Sequence, residues 1–308
     1  DIVAPIKKTS GLTDLKIYII NNPTPNAFTI GGNKIFIHSG LIIDFPDPDV
    51  LRGIIAHEIG HITGHHIIRQ QEVVNKYQRA AFGATILGLA TAIASKSEAQ
   101  ETGGAIMMTG MHMAERSIYA YSRSFESSAD QTAIDLLEKS SHSVIGLIHF
   151  FESMQSLTKS NMINPYDQTH PMDRDRLSVL RNFNKISKFK DSQNDNNLIL
   201  RYAIVSAKLA AFTVDLNKIE SLIYKNDNWE IKHYVRAIKN LRTGNFDDAL
   251  TNINKLIAKH PTNPYYHELK AQIYFEFGKN SALDEYNIAI ALDAKQDDTL
   301  IRLHVPQN

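Results

Sequence analysis

The sequence predicts a mainly α protein with a small β-sheet near its start and an α-helical repeat solenoid at its end. Three observations carry that reading. Short β-branched runs, broken by turn residues, are confined to the first 45 residues. From Asp47 to about Ser187, apolar residues recur at helical spacing. Beyond residue 198, residue types recur every 34 positions.

The strands come first. KIYIINN is apolar and β-branched and ends at the turn NPTPN; FTIGGNKIFIHSGLI then reads as a hairpin with GGN as its turn and IFIHSGL as its return strand. A helix should start at Asp47-Pro48-Asp49, where an acidic cap and a proline suit the first turn. It is expected to carry VLRGIIAHEIGHITGHHIIRQ in one run. A second helical segment reaches Ala94 and is followed by ETGGAIMMTGMHMA. Its glycines and methionines, Gly103 to Met113, suit a mobile lid, a partner surface and an irregular core equally well. Tyr119 to Glu138 reads as a helix with Phe125, Ala129, Ala133, Leu136 and Leu137 on its apolar face. After HSVIGLIHFFESMQ comes a loop, SNMINPYDQTHP, and Pro171 can start the helix MDRDRLSVLRNF.

KFKDSQNDNN is polar and lacks core residues, which makes it a boundary. It divides the chain into a domain over 1–187, a linker over 188–197 and a second domain over 198–308. A chain of 308 residues is about right for two domains. In the second domain Ala237 and Ala271, Gly244 and Gly278, His233 and His267, and Leu241 and Phe275 are each 34 apart. One step back, Ala203 stands opposite Ala237 and Ala210 opposite Gly244. Small residues at fixed positions let short antiparallel helices approach closely. AIKNLRTGNFDDALTNINKLIAKHP resembles a tetratricopeptide repeat, with Ala237, Gly244, Phe246, Ala249 and Pro261 at signature positions. About three repeats are expected, the first degenerate and the third weaker, with Leu283 where an alanine belongs. Chance helical hairpins are the plainer alternative.

Composition narrows the function classes. The chain is 43% hydrophobic and 21% charged, as a globular protein is. Basic and acidic residues balance at 33 each, so no global field points to nucleic acid. Cysteine is absent, which excludes thiol chemistry and cysteine-bound zinc without fixing a compartment. DIVAPIKKTS has no apolar core of a signal peptide, so the chain reads as a mature or trimmed form. Its most apolar run, AAFGATILGLATAIA over Ala80 to Ala94, is shorter than the ~20 residues needed to cross a bilayer. No transmembrane segment is expected. The run reads as a buried or partly exposed helix, with a membrane-touching surface helix as the lesser reading.

The chemistry sits in GIIAHEIGHITGHH, Gly53 to His66. His57 and His61 are four apart and share a helical face, ~6 Å from each other, so both imidazoles can bind one zinc. Glu58 can reach a water on that metal and take its proton as the water attacks a carbonyl. The alternative, exposed polar residues on an amphipathic helix, fits poorly with apolar flanks, because a buried His-Glu-His needs something to satisfy it. The longer pattern HExxHxxGxxH fails, since Ile67 stands at its last position. His65 lies one turn too far along to reach the same metal. His65 and His66 are therefore expected on the helix surface. The candidates for a third ligand are Glu72, Glu98, Glu101, Glu115 and Glu126. Glu126 stands out because Asp130, four residues on in SFESSAD, can orient a ligand histidine through its free ring N–H. Ser127, Ser128 and Ala129 would let the two helices pack closely. Glu115 is the runner-up.

HEIGH followed by FESSAD resembles the gluzincin metallopeptidases of the HtpX and prenyl-protein-protease group, and the added repeats resemble its BepA-type periplasmic members. NAFTIGGNKIFIHSGLI and THPMDRDRL are similar to segments flanking the site in that family. The resemblance implies an α+β zincin-type protease domain in which His57, His61 and Glu126 bind one Zn2+ per chain and Glu58 is the base. His170 and Arg176 take the family's His-Pro…Arg positions among the catalytic groups. His170 would either donate to the oxyanion or occupy the open zinc position as a latch. IFIHSGL, with Ile35, Phe36 and Ile37, is expected to be the sheet edge on which a peptide substrate lies, or else an ordinary hairpin strand. The family further implies the bacterial periplasm, unfolded or misassembled envelope proteins as substrates, and protein partners for the repeats, with the outer-membrane assembly machinery a candidate. Zinc endopeptidase is the leading function. A chaperone-like adaptor with a weak or latent peptidase site is the second. A membrane-embedded protease would need spanning helices that the sequence lacks.

Overall fold

The computed structural model describes residues 2–94, 99–159, 166, 169–171, 174–225 and 227–293. Its Cα packing separates two units, divided between Ile199 and Leu200. The first opens with helix α1 (Ala4–Ser10), strands β1 (Lys16–Ile20), β2 (Ala27–Thr29) and β3 (Lys34–His38), and a short helix α2 (Ser39–Asp44). The sheet order is β1-β3-β2. β3 runs parallel to β1, with Tyr18 opposite Phe36, and antiparallel to β2, with Phe28 opposite Phe36. The β2–β3 turn uses Gly31 (φ 110) and Gly32 (φ 63), left-handed positions that a side chain would strain.

This order corrects one expectation. Ile35, Phe36 and Ile37 lie on the central strand, not on an edge. Their backbone groups are taken by β1 on one side and β2 on the other. Alternation of apolar residues marks a strand's two faces but not its neighbours, so sequence alone cannot rank the strands. Ile35 and Ile37 are buried, while the Phe36 ring stacks between Tyr18 and Phe28 at 5.2 and 5.5 Å.

Helix α3 (Pro48–Thr63) begins where the sequence suggested. The Asp47 carboxylate accepts the Asp49 N–H at 2.8 Å, and Pro48 occupies the first turn. From Val50 to His61 every residue of α3 is buried, so this is a core helix and not an amphipathic one. It stops earlier than expected. Gly64 and His65, the latter at φ 51, break the predicted single run, and α4 (His66–Ala94) starts afresh.

Helix α5 (Ala99–Lys139) packs along both α4 and α3. A Cβ at Gly60 would lie 2.7 Å from the Ala129 Cα, so glycine is required where α3 and α5 cross. The Gly/Met-rich stretch lies inside α5 as regular helix, with Met108, Met111 and Met113 exposed; it is not an irregular core. The apolar run ending α4 exposes Phe82, Ile86 and Leu87. No helix among the described residues is long and apolar enough to cross a membrane. Helices α6 (Ile145–Lys159) and α7 (Arg174–Ile186) complete the unit, α7 being the helix expected to follow Pro171.

Helix α8 (Asn196–Thr213) starts inside the polar stretch 188–197 and leads into the second unit. There follow α9 (Leu216–Lys225), α10 (Trp229–Arg242), α11 (Phe246–Lys259), α12 (Pro264–Glu276) and α13 (Ala282–Asp293). Helices α10 and α11 pair, as do α12 and α13. Gly244 (φ 77) and Gly278 (φ 63), one sequence period apart, make the turn within each pair. Ala237 and Ala249 are fully buried in a cluster with Ile238, Ile253, Tyr266 and Ile273, and Ala271 is fully buried too, whereas Leu283 is exposed.

Candidate metal centre

His57 and His61 project from one face of α3, with their Nε2 atoms 3.0 Å apart. Because Gly60 lets α5 approach, Glu126 reaches both rings. Its Oε2 lies 3.4 Å from His57 Nε2 and its Oε1 3.3 Å from His61 Nε2. One turn further along α5, Asp130 Oδ1 lies 2.9 Å from His57 Nδ1, on the opposite side of the ring. A carboxylate this close favours a proton on Nδ1 by its charge, and Nε2 faces Glu126.

Two residues from beyond α6 close the site. Arg176, on α7, donates from Nε and Nη2 to the two Asp130 oxygens at 2.6 and 2.9 Å, and its Nη1 is 2.9 Å from Glu126 Oε2. Its guanidinium also lies 4.7 Å from the Phe151 ring centroid. His170 Nδ1 is 3.3 Å from both Glu126 oxygens and 3.4 Å from His57 Nε2. His170 Nε2 faces the Ala27 carbonyl at 3.2 Å and Glu58 Oε1 at 3.4 Å, and Tyr166 stacks on the ring at 4.6 Å. Ligand-type atoms of His57, His61, Glu126 and His170 all fall within 4.8 Å of one another, and all four residues are buried.

Burial and partners oppose each other throughout the cluster. Burial would lower the His57 pKa, but hydrogen bonds to Asp130 and Glu126 outweigh it and push it up to about 9. Burial lowers His61, and it pushes His66 down to about 4. For Glu126 the desolvation is overcome by His170, His57 and His61, which hold the carboxyl well below the usual range. Asp130 is likewise lowered against its own desolvation by Arg176 and His57. Glu58 is fully buried, and among the described residues neither of its oxygens has a hydrogen bond.

The donor set suits a divalent zinc. Imidazole nitrogens and a carboxylate are its usual ligands. Two ligands ~2.0–2.1 Å from a tetrahedral zinc lie roughly 3.3 Å apart, and five of the six pairs here span 3.0 to 3.4 Å. A buried carboxylate without a hydrogen bond, as at Glu58, is costly unless something polar is to meet it. A cleft of about 300 Å³ opens beside the cluster, lined by Phe28, Thr29, Glu58, Phe125, Thr169 and His170.

The structure thus brings together His57, Glu58, His61, Glu126, Asp130, His170 and Arg176. Arg176, expected among the catalytic groups, sits buried behind the carboxylates and pairs with both Glu126 and Asp130. His65 is exposed as expected. His66 is not on the surface: it is 2% exposed and lines the cleft. The helix break that turns it inward was signalled only by Gly64. Of the other glutamates, Glu72 is exposed, and Glu98, Glu101 and Glu115 lie outside the residues whose side chains are described. Phe125, read from the sequence as part of a helix's apolar face, packs on His66, and Tyr166, which carried no sequence signal, packs on His170.

A His-Glu-x-x-His helix met by a glutamate from a second helix defines a class, the metallopeptidases. Within it, the chain belongs to peptidase family M48, whose profile matches residues 2–184. It is similar to the beta-barrel assembly-enhancing protease of Yersinia pestis, 24% identical over 303 residues, covering 95% of this chain and 60% of that protein. The putative beta-barrel assembly-enhancing protease of Vibrio cholerae is 26% identical over 264 residues, 82% of this chain and 53% of that protein. The mitochondrial metalloendopeptidase OMA1 of Schizosaccharomyces pombe is 23% identical over 197 residues, 63% of this chain and 54% of that protein. The chain thus spans little more than half the length of these relatives.

Proposed function

We propose that this chain is a zinc endopeptidase in which His57, His61 and Glu126 hold one Zn2+ and Glu58 is the general base. The observation that carries this reading is the convergence of those three side chains at 3.0 to 3.4 Å beside a buried Glu58 without a hydrogen bond. When bound, zinc supplies a Lewis acid for the scissile carbonyl and lowers the pKa of a coordinated water towards neutrality. Glu58 takes the proton of the attacking water and delivers it to the leaving amine. Asp130 keeps His57 in the tautomer that presents Nε2, and Arg176 holds Asp130 and Glu126 in place.

Substrate binding moves from β3 to β2. β2 is an outer strand, and Phe28 and Thr29 line the cleft. The His38 N–H bonds to the Asn26 carbonyl, so the alternation turns the backbone groups of Ala27 and Thr29 away from β3. The Ala27 carbonyl already meets His170 there. An extended peptide can pair along that edge with little demand on its side chains.

His170 sits inside the ligand set, and this favours the latch over the oxyanion donor. The same position keeps a second reading in play, an adaptor whose peptidase is shut and whose helical-pair unit, read as tetratricopeptide repeats, does the binding. The beta-barrel assembly in the names of the bacterial relatives supports outer-membrane assembly as the setting, and the family resemblance of the sequence adds misassembled envelope proteins as substrates and the periplasm as the location. Zinc content and casein cleavage of wild type, Glu58→Gln and His170→Ala test the proposal together. One zinc per chain, with cleavage lost in Glu58→Gln and raised in His170→Ala, is expected. Bound zinc without cleavage in any variant would favour the adaptor, and absence of zinc would refute the metal centre.

A further inference from the structure

Helix α3 ends two residues after His61, and the chain reverses at once. The Gly64 N–H bonds to the Gly60 carbonyl at 2.9 Å and the His65 N–H to the Ile62 carbonyl at 3.1 Å. His65, at φ 51, then turns the backbone so that His66 points back at the zinc helix. The His66 ring meets the His61 ring edge-on, with their Nδ1 atoms 3.1 Å apart. On its other side it stacks on Phe125, the neighbour of Glu126 in sequence, at 4.9 Å and 19°. The fit depends on Gly64, because a Cβ there would lie 2.2 Å from His66 Nε2.

Two ring nitrogens at that distance share one proton. His61 presents Nε2 to Glu126 and His57, so for Nε2 to serve as a ligand its proton must sit on Nδ1. That N–H then donates to the lone pair of His66 Nδ1, and His66 carries its own proton on Nε2. Asp130 Oδ1 faces His57 Nδ1 from the far side of its ring at 2.9 Å, and its charge favours the proton there. Each ligand histidine therefore has its own polar neighbour at Nδ1, an anion for His57 and a neutral imidazole for His61.

We infer that His66 is a positioning residue that fixes the tautomer and ring orientation of His61 for metal binding. The inference rests on the zinc reading above. Acceptors of this kind are worth about 10- to 100-fold in metal affinity.

The test is zinc affinity of the full chain, measured by competition with a chromophoric chelator, for wild type, His66→Phe and His66→Asn. Thermal unfolding of each metal-free protein is recorded alongside. Phenylalanine keeps the ring stacked on Phe125 but removes the acceptor; asparagine loses the stack but places its Oδ1 near the position of Nδ1. The inference expects zinc binding about 10- to 100-fold weaker in His66→Phe and within a few-fold of wild type in His66→Asn. Wild-type affinity in His66→Phe, or equal losses in both variants, would overturn it and leave the zinc centre standing. Absence of zinc from the wild type would overturn the centre itself. Should His66→Phe not fold, His66→Asn decides: retained affinity supports the acceptor role, and lost affinity ends it.

Discussion

Replacing Arg176 with methionine offers a sharp test of the buried charge arrangement. The guanidinium makes two hydrogen bonds to Asp130 and lies 2.9 Å from Glu126, with all three side chains at most 4% exposed. Methionine keeps an unbranched apolar side chain beside Phe151 but strands two buried carboxylates. Removing one partner of a buried ion pair costs about 3–5 kcal/mol. In the metal-free protein at pH 7, urea unfolding of the first unit should lose that amount relative to wild type. The loss must shrink in acid, and the sign follows from Asp130. Its folded pKa is depressed below the ordinary 3.8, so the stabilisation is complete above that value and fades as pH falls through the lower folded value. Below about pH 4 the two unfolding curves should therefore converge. A loss under about 1 kcal/mol at pH 7, or a gap that persists unchanged into acid, would refute this account of the site.

Two further outcomes are expected. Zinc must displace the proton held on His57, whose pKa is raised to about 9, so apparent zinc affinity should fall about tenfold for each pH unit below that value. Calorimetry in buffers of different ionisation enthalpy should then detect proton release, and a pH-independent affinity between pH 7 and 9 would exclude the assignment. On β2, Thr29→Pro removes a backbone N–H that faces away from β3. It should reduce peptide cleavage at least about tenfold through loss of edge pairing while zinc content stays at the wild-type level. Unchanged cleavage would show that peptides do not lie along β2.

What the sequence determined by itself is what depends on neighbours a few residues away. The four-residue spacing of His57 and His61, and of Glu126 and Asp130, sets each pair on one helical face whatever surrounds it. The Asp47-Pro48 start of α3 and the left-handed glycines at 244 and 278 are likewise local matters of capping and of φ. The tertiary structure decided the rest. It placed β1 beside β3 and so moved the open edge to β2. It set Arg176 behind two carboxylates 46 and 50 residues before it in the chain, and it brought His170 into the ligand cluster. It also turned His66 from a neighbour in sequence into the partner of His61, through a helix break that a continuous apolar pattern conceals. The periodicity of a sequence records which face of an element is buried. Which other element covers that face, and which polar atom meets which, follows only from the three-dimensional packing.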